Sequence, residues 1–555
     1  MKTEADARTV PEATARAARL FPDSEAVVDG TQRWTYAQLH ERVRVVARML
    51  LAEGVGPLDR VAICSPNTHH WIFAALGALH CGATLVPVNT RFTGPEMFDV
   101  LERSRARALV VAGPFLGTDR LAELRAAAGD SPSGGGPAER DRPVPGLPEL
   151  RTVVRVPVEP TSATGRDSTS TDATEARVLD WADIDHRAAG VSDDEAEKRA
   201  STVDPEQISD ILFTSGTTGR SKGAMSSHRQ VLDIAEAWAQ RGELSHRDRY
   251  LVINPFFHSF GYKAGILASL LRGTALVPQP VFDVRASMEL VERERITVLP
   301  APPTVYQEML DSPDRELRDL SALRLAVTGT ATVPVALVER MQRELSFSTV
   351  LTAYGLTEAV VATMCQPGDA DERVSRTSGT AAAGFEVRVV DSEGEPTDTG
   401  ESGEILLRGP NVMRGYLDSP EATREAIDDG GWLHTGDVGR LDEHGYLTIT
   451  DRIKDMYICG GFNVYPAEVE QELARLDGVA ESAVVGVGHE RLGEVGKAYV
   501  IARPDAELST EDVIGFCRGR LANYKVPRHV EFRSQLPRNS TGKVLKYELR
   551  TSTDS

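Results

Sequence analysis

The stretch TSGTTGRSKG, from Thr214 to Gly223, has the residue types needed to hold phosphate. It directly follows the apolar run DILF. Glycines such as Gly216 and Gly219 let backbone approach a ligand closely. Backbone N–H groups and the hydroxyls of Thr214, Ser215, Thr217 and Thr218 can donate to phosphate oxygens, and Lys222 adds positive charge. The Walker pattern is not met: counted from Gly216 it requires glycine at 221 and a hydroxyl at 223, where the chain has Ser221 and Gly223. A plain surface loop is the alternative, but a hydroxyl-dense loop with one lysine after a buried strand favours phosphate contact.

Such a loop needs a rigid sheet behind it. DRVAICSPN (59–67) reads as a buried strand ending in a turn, HHWIFAALGALHCGA as a helix stopped near Gly82, and TLVPVN as the next strand. This β-α-β order implies parallel strands with right-handed crossovers. The pattern resumes at QISDILFTS and continues through YLVINPFF, ITVLPA, LRLAVTG and FSTVLTAYG. Ligands in such folds sit beyond the carboxyl ends of strands. Residues 129–180 are rich in Gly, Ser, Thr, Pro and Asp and read as a flexible surface insertion holding one strand, TVVRVPV. From about 379 the chain turns β-rich. After DRIKDMY a compact βα pattern follows, with Pro466 opening the helix PAEVEQELARL. The expected fold class is therefore α/β. It has a large N-terminal domain over 1–450 of doubly wound subdomains plus a β-rich subdomain (379–450), a hinge at 451–455, and a small mobile α+β C-terminal domain over 456–555.

The 555 residues are too many for one core, and the net charge of −20 disfavours nucleic acid and anionic membrane surfaces. Cysteines at 64, 81, 365, 459 and 517 are odd in number and widely spaced, as expected of reduced thiols in a cytoplasmic protein. No apolar run is long enough to predict a membrane span, and no signal peptide is visible.

TSGTTGRSKG resembles the phosphate loop of the adenylate-forming enzymes, which include acyl-CoA synthetases, luciferases and peptide-synthetase adenylation domains. TGTA (328–331), YGLTE (354–358), TGD (435–437), DRIKDMYICGGFNVYPAEVE (451–470) and PRNSTGK (537–543) follow in the family's order. The resemblance implies activation of a small-molecule carboxylic acid by ATP and Mg2+, then transfer to coenzyme A. It implies catalytic roles for Lys543, Glu358, Thr357 and His258, with Glu358 and Thr214 on the metal. Lys543 would bridge the carboxylate and the α-phosphate. Thr214, Ser215, Gly216, Thr217, Thr218, Gly219 and Lys222 would escort the β- and γ-phosphates out as pyrophosphate. Tyr354 and Gly355, with Gly329, Thr330 and Ala331, would enclose adenine, while Asp437 and Arg452 would hold the ribose. Asp451 matches the hinge, about which the small domain rotates so that Gly460, Gly461 and Phe462 line the pantetheine path.

In amino-acid-activating relatives an aspartate stands near 258; here His258 argues for a simple carboxylate. Phe257, His258, Phe260 and Lys263 are expected to border the acyl pocket, although His258 could equally be a core histidine. The run NPFFHSFGYKAGILASLLRGTALVPQPVFDV resembles actinobacterial ligases of steroid breakdown that activate a hydrindanedione propanoate. Lys263 or Tyr262 could then donate to a ring ketone; alternatively Lys263 faces solvent. Medium- or long-chain fatty acids and aryl acids remain alternative substrates, and an acyl-AMP ligase for a carrier protein or a luciferase-like monooxygenase are alternative activities. A homodimer is a further expectation.

Overall fold

The computed structural model describes residues 7–129, 142–158, 178–214, 221–329, 333, 335–452, 455–459, 462–489, 491–504, 506–518, 520–521, 523–538 and 544–551. The chain forms two compact units, one of residues 1–385 with 409–431, the other of 386–408 with 432–555.

Among the described residues, the first unit is built on an eight-stranded sheet. Its order is Gly415–Tyr416, Lys222–Ser227, Ile208–Thr214, Thr84–Pro87, Arg60–Cys64, Ala106–Ala112, Thr152–Val156, Val178–Asp180. From Ile208–Thr214 onward the neighbours are parallel, and the helices His69–His80, Gly94–Ser104 and Arg120–Gly129 supply crossovers of the kind the β-α-β pattern requires. The helix His69–His80 is apolar nearly all round and is buried from His70 to His80. Gly82 stops it in the left-handed region, at φ +83°. Lys222–Ser227 and Gly415–Tyr416 complete the sheet as antiparallel edge strands.

A second sheet region contains Arg249–Val252, Ala275–Pro278, Glu25–Asp29 and Gln32–Thr35; a further one runs Leu325–Gly329, Thr349–Tyr354, Thr363–Met364, Thr380–Ala381. ITVLPA, read as a strand, forms an isolated bridge between the two rather than a full strand. Val298 bridges Tyr250 on one side and Leu325 on the other. Pro300 has no N–H to give the Arg249–Val252 side, while on the other side the Leu299 and Ala301 N–H groups still donate to the Leu325 and Val327 carbonyls.

Within the stretch 129–180, expected to be a flexible insertion, the described residues form part of the core. Val144, Leu147 and Leu150 are buried against Leu109 and Val153, and Thr152–Val156 is an internal strand of the main sheet. Its apolar spacing buries surface that the flanking Gly/Ser-rich runs lack. Those runs, 130–141 and 159–177, lie outside the described residues.

The second unit holds an antiparallel sheet in the order Glu386–Val390, Gly403–Arg408, Leu433–Leu441, Leu447–Arg452. Its other sheet is five-stranded, with Gly493–Ala502 pairing Tyr457–Cys459, Val479–His489 and His529–Phe532. Pro466 opens the helix Pro466–Leu473, and Val469 and Leu473 bury against Val484 and Val495. The stretch 379–450, expected to belong with the N-terminal domain, is thus divided. Among the described residues its four-stranded sheet pairs only within itself and groups with the C-terminal residues, whereas 409–431 stays with the first unit through the edge strand Gly415–Tyr416.

Candidate active site

The phosphate-loop hairpin is anchored at both ends. Thr214 and Lys222 face each other in the register of Ile208–Thr214 and Lys222–Ser227, and the Thr214 hydroxyl donates to the Lys222 carbonyl at 3.3 Å. Arg103 donates to the Ser221 carbonyl at 2.6 Å. Ser215, Gly216, Thr217, Thr218 and Gly219 lie outside the described residues.

Glu358 is delivered to the same edge by the chain 411–417. The Met413 N–H donates to the Glu358 carbonyl at 2.8 Å, and the Tyr416 hydroxyl donates to Glu358 Oε1 at 2.7 Å. Tyr416 in turn pairs with Ala224, two residues beyond Lys222, so the Lys222 ammonium lies 5.1 Å from the Tyr416 ring centroid. Desolvation, reinforced by the Glu358 charge, raises the Tyr416 phenol pKa far above its usual range, which keeps it a hydrogen-bond donor. The result is a continuous arrangement of lysine, aromatic ring and carboxylate. A carboxylate has about four lone-pair positions, so Glu358 can hold a hard cation while accepting from Tyr416.

Thr357 and Glu358 sit half-buried in a turn with unusual backbone. Val360 is β-branched yet adopts φ +56°, a conformation that costs about 1–3 kcal/mol. This turn backs the Val360 carbonyl against Gly355, where an added Cβ would lie 1.6 Å from that oxygen. Only glycine fits there. Gly329 and Ala353 are partners at the ends of their parallel strands, and Tyr354 follows directly, buried. The two sequence-predicted adenine elements, Gly329 and Tyr354, are thereby brought to adjacent strand ends. Thr330 and Ala331 lie outside the described residues.

The chain leading to the predicted acyl pocket is fixed by Asn67, which the sequence reading did not single out. Its Nδ2 donates to the carbonyls of Val252 and Asn254 at 3.1 and 2.9 Å, and its Oδ1 accepts from the Phe256 N–H at 2.7 Å. His258 follows, solvent-accessible but deep within the fold, so desolvation lowers its pKa. Its Nδ1 accepts the Phe260 N–H at 3.2 Å, which leaves the neutral ring with its proton on Nε2. Phe257 is half-buried, and Phe260 packs edge-on against Trp238 at 4.8 Å between centroids.

Lys263 corrects the sequence reading. It neither faces solvent nor is available to a ring ketone. In the π-helical segment Phe260–Leu267 it is completely buried, with Nζ 3.0 Å from Asp210 Oδ2 and 3.0 Å from Ser226 Oγ. A buried ammonium requires a paired carboxylate, and that requirement outweighs any acyl contact. Tyr262 is likewise buried, 5.8 Å from Trp71 between centroids. A sequence signal for the pair existed: Asp210 and Lys263 are lone opposite charges within the apolar runs ISDILF and FGYKAGILASLL, and such residues are almost never fully buried unless paired.

In the second unit Asp437, nearly buried, stands opposite Arg452 in the backbone register of Leu433–Leu441 and Leu447–Arg452. Asp451 lies in the last of these strands and Phe462 opens Phe462–Val464. Gly460, Gly461 and Lys543 lie outside the described residues. Among the described residues no cluster of three or more His, Cys, Asp or Glu could hold a metal by itself. All five cysteines are free and buried, and no helix among the described residues is long and apolar enough to cross a membrane.

The fold and this arrangement define a nucleotide-binding adenylating enzyme, and the family comparison agrees: residues 14–417 match the AMP-binding enzyme family and 468–543 the AMP-binding enzyme C-terminal domain. The chain belongs to the AMP-binding enzyme family. It is 56% identical over 542 residues, covering 98% of each chain, to a 3-[(3aS,4S,7aS)-7a-methyl-1,5-dioxo-octahydro-1H-inden-4-yl]propanoyl:CoA ligase of Rhodococcus jostii (strain RHA1). It is 53% identical over 546 residues, 98% of this chain and 99% of the other, to a ligase of the same name from Mycobacterium tuberculosis. Among solved structures, ATP-bound MatB from Rhodopseudomonas palustris matches with a TM-score of 0.82 at 29% identity, covering 99% of both chains.

Proposed function

We propose that this protein is an ATP-dependent acid–CoA ligase whose acid is a bicyclic diketone propanoate of the hydrindane type. The observation that carries the acid assignment is the 56% identity across 98% of both chains to a ligase named for that acyl group.

The reaction has two steps. A carboxylate oxygen attacks the α-phosphorus of ATP, the bond to the bridging oxygen breaks, and pyrophosphate leaves. The thiolate of coenzyme A then attacks the acyl carbonyl, and AMP leaves. Positioning and charge stabilisation do most of the work in phosphoryl chemistry. Lys222 and the hairpin loop attend the departing phosphates, Tyr354 and Gly329 the adenine, Asp437 and Arg452 the ribose. Magnesium, held by Glu358 and Thr214, would neutralise phosphate charge. Tyr416 keeps the Glu358 carboxylate oriented for it. Lys543 supplies positive charge where negative charge develops in the first step, and residues 460–462 receive the thiol arm in the second, with Asp451 as hinge. His258, bearing its proton on Nε2, presents a neutral donor beside the acyl group.

The deciding experiment is an acid panel with ATP, magnesium and coenzyme A, read by AMP release and thioester mass. The bicyclic propanoate is expected to give the highest kcat/KM; a faster medium-chain or aryl acid would overturn that assignment. Lys543→Ala should abolish adenylation yet spare thioester formation from supplied acyl-AMP, and equal loss of both steps would contradict its role.

A further inference from the structure

Asp210 and Ser226 are direct partners in the antiparallel register of Ile208–Thr214 and Lys222–Ser227, the strands whose far ends launch and receive the phosphate loop. The Lys263 ammonium touches both, one from each strand. Asp210 is completed by the Ser209 hydroxyl, which donates to Oδ1 at 3.1 Å. Lys263 itself belongs to the π-helical segment that begins two residues after His258. Widened helical turns of this kind are rare and concentrate at functional sites. Here the segment is seated by Gly261, where an added Cβ would lie 2.2 Å from the Pro255 carbonyl oxygen. One fully buried cation therefore joins the element carrying the acyl-side residues to both strands of the phosphate-loop hairpin.

We propose that Lys263, clamped to Asp210 and Ser226, is a positioning residue that sets the register between the acid-binding segment and the phosphate-loop hairpin, and so aligns the carboxylate with the α-phosphate. It touches no substrate. The inference rests on the ligase reading above, but not on which acid is used. A buried ion pair is not needed for stability as such, since apolar replacements of similar volume are often neutral or stabilising. It does impose a fixed geometry, because neither charge tolerates separation in a dry interior. In-line attack is sensitive to such geometry: displacement by about 1 Å can cost about 100-fold.

The test is the paired variant Lys263→Met with Asp210→Leu, which removes both charges together, assayed with whichever panel acid the parent uses fastest. A wrong acid assignment then leaves the comparison intact. The paired variant is expected to melt near the parent, to release pyrophosphate about 10- to 100-fold more slowly, and to convert supplied acyl-AMP to thioester at the parental rate. Parental adenylation, or equal loss in both half-reactions, overturns the proposal. Ser226→Ala, which keeps the ion pair and removes one contact, decides the matter if the paired variant does not fold. A severalfold loss confined to adenylation supports the clamp, and unchanged adenylation refutes it.

Discussion

The Tyr416 hydroxyl donates to Glu358 Oε1 across 2.7 Å, while the same ring lies under the Lys222 ammonium at 5.1 Å. One residue on a two-residue edge strand thus links the phosphate-loop lysine to the carboxylate assigned to magnesium. A hydrogen bond to a charged group is worth about 1.5–3 kcal/mol, and about 1.4 kcal/mol is tenfold in rate. Tyr416→Phe is expected to slow adenylation about tenfold and to raise the magnesium concentration for half-maximal pyrophosphate release. A parental magnesium curve would refute the link.

Asn67 makes three hydrogen bonds, two of them fully buried, to the backbone at Val252, Asn254 and Phe256. Asn67→Ala leaves the Asn254 carbonyl and the Phe256 N–H without this partner, at about 1–3 kcal/mol each, while the Val252 carbonyl keeps the Gln279 N–H. The variant should unfold at lower temperature and show a raised KM for the acid, with KM for ATP close to the parent's. Steady-state kinetics with each substrate varied in turn will check this.

Gly355→Ala forces a methyl group to within 1.6 Å of the Val360 carbonyl oxygen. The turn holding Glu358 must then open, because the obstacle is backbone rather than a flexible side chain. Adenylation is expected to fall at least 100-fold, as in-line geometry is lost. Binding of ATP followed by calorimetry, with normal affinity and normal turnover, would be the contrary result.

Acid sensitivity follows from buried imidazoles. His228 Nδ1 accepts the Val10 N–H at 3.3 Å, and burial pushes the His228 pKa down to about 4. The unfolded chain binds a proton below about 6.5 that the folded chain refuses, so stability falls as pH drops from about 6.5 to 4 and is unaffected above. The loss is up to about 3 kcal/mol for this residue. His40, His70 and His80 act in the same direction through desolvation. His228→Asn should narrow the gap between urea midpoints at pH 7 and pH 4.5; an unchanged gap would remove His228 from the account.

The alternation of strand and helix, and most element boundaries near the site, were legible because periodicity and glycine placement are local properties. HHWIFAALGALH became the helix His69–His80 and LRLAVTG the strand Leu325–Gly329. ITVLPA formed an isolated bridge at Val298 rather than a full strand, because Pro300 has no N–H for the Arg249–Val252 side, and Val144, Leu147 and Leu150 were missed because a polar surround obscured their apolar spacing.

The sequence by itself pointed to the chemical class, because the loop at 214–223, YGLTE and TGD, in that order, resemble the motifs of the adenylate-forming enzymes, and such a resemblance needs no knowledge of neighbours in space. Tertiary structure alone decided what Lys263, Asp210, Ser226 and Tyr416 touch. Lys263 and Ser226 are 37 residues apart in the chain, Tyr416 and Glu358 58. Which remote groups meet depends on strand register and on helix seating, and neither is encoded in local period. A lone lysine in an apolar run signals only that some partner must exist; the fold supplies the carboxylate, because desolvating either charge without the other is prohibitive.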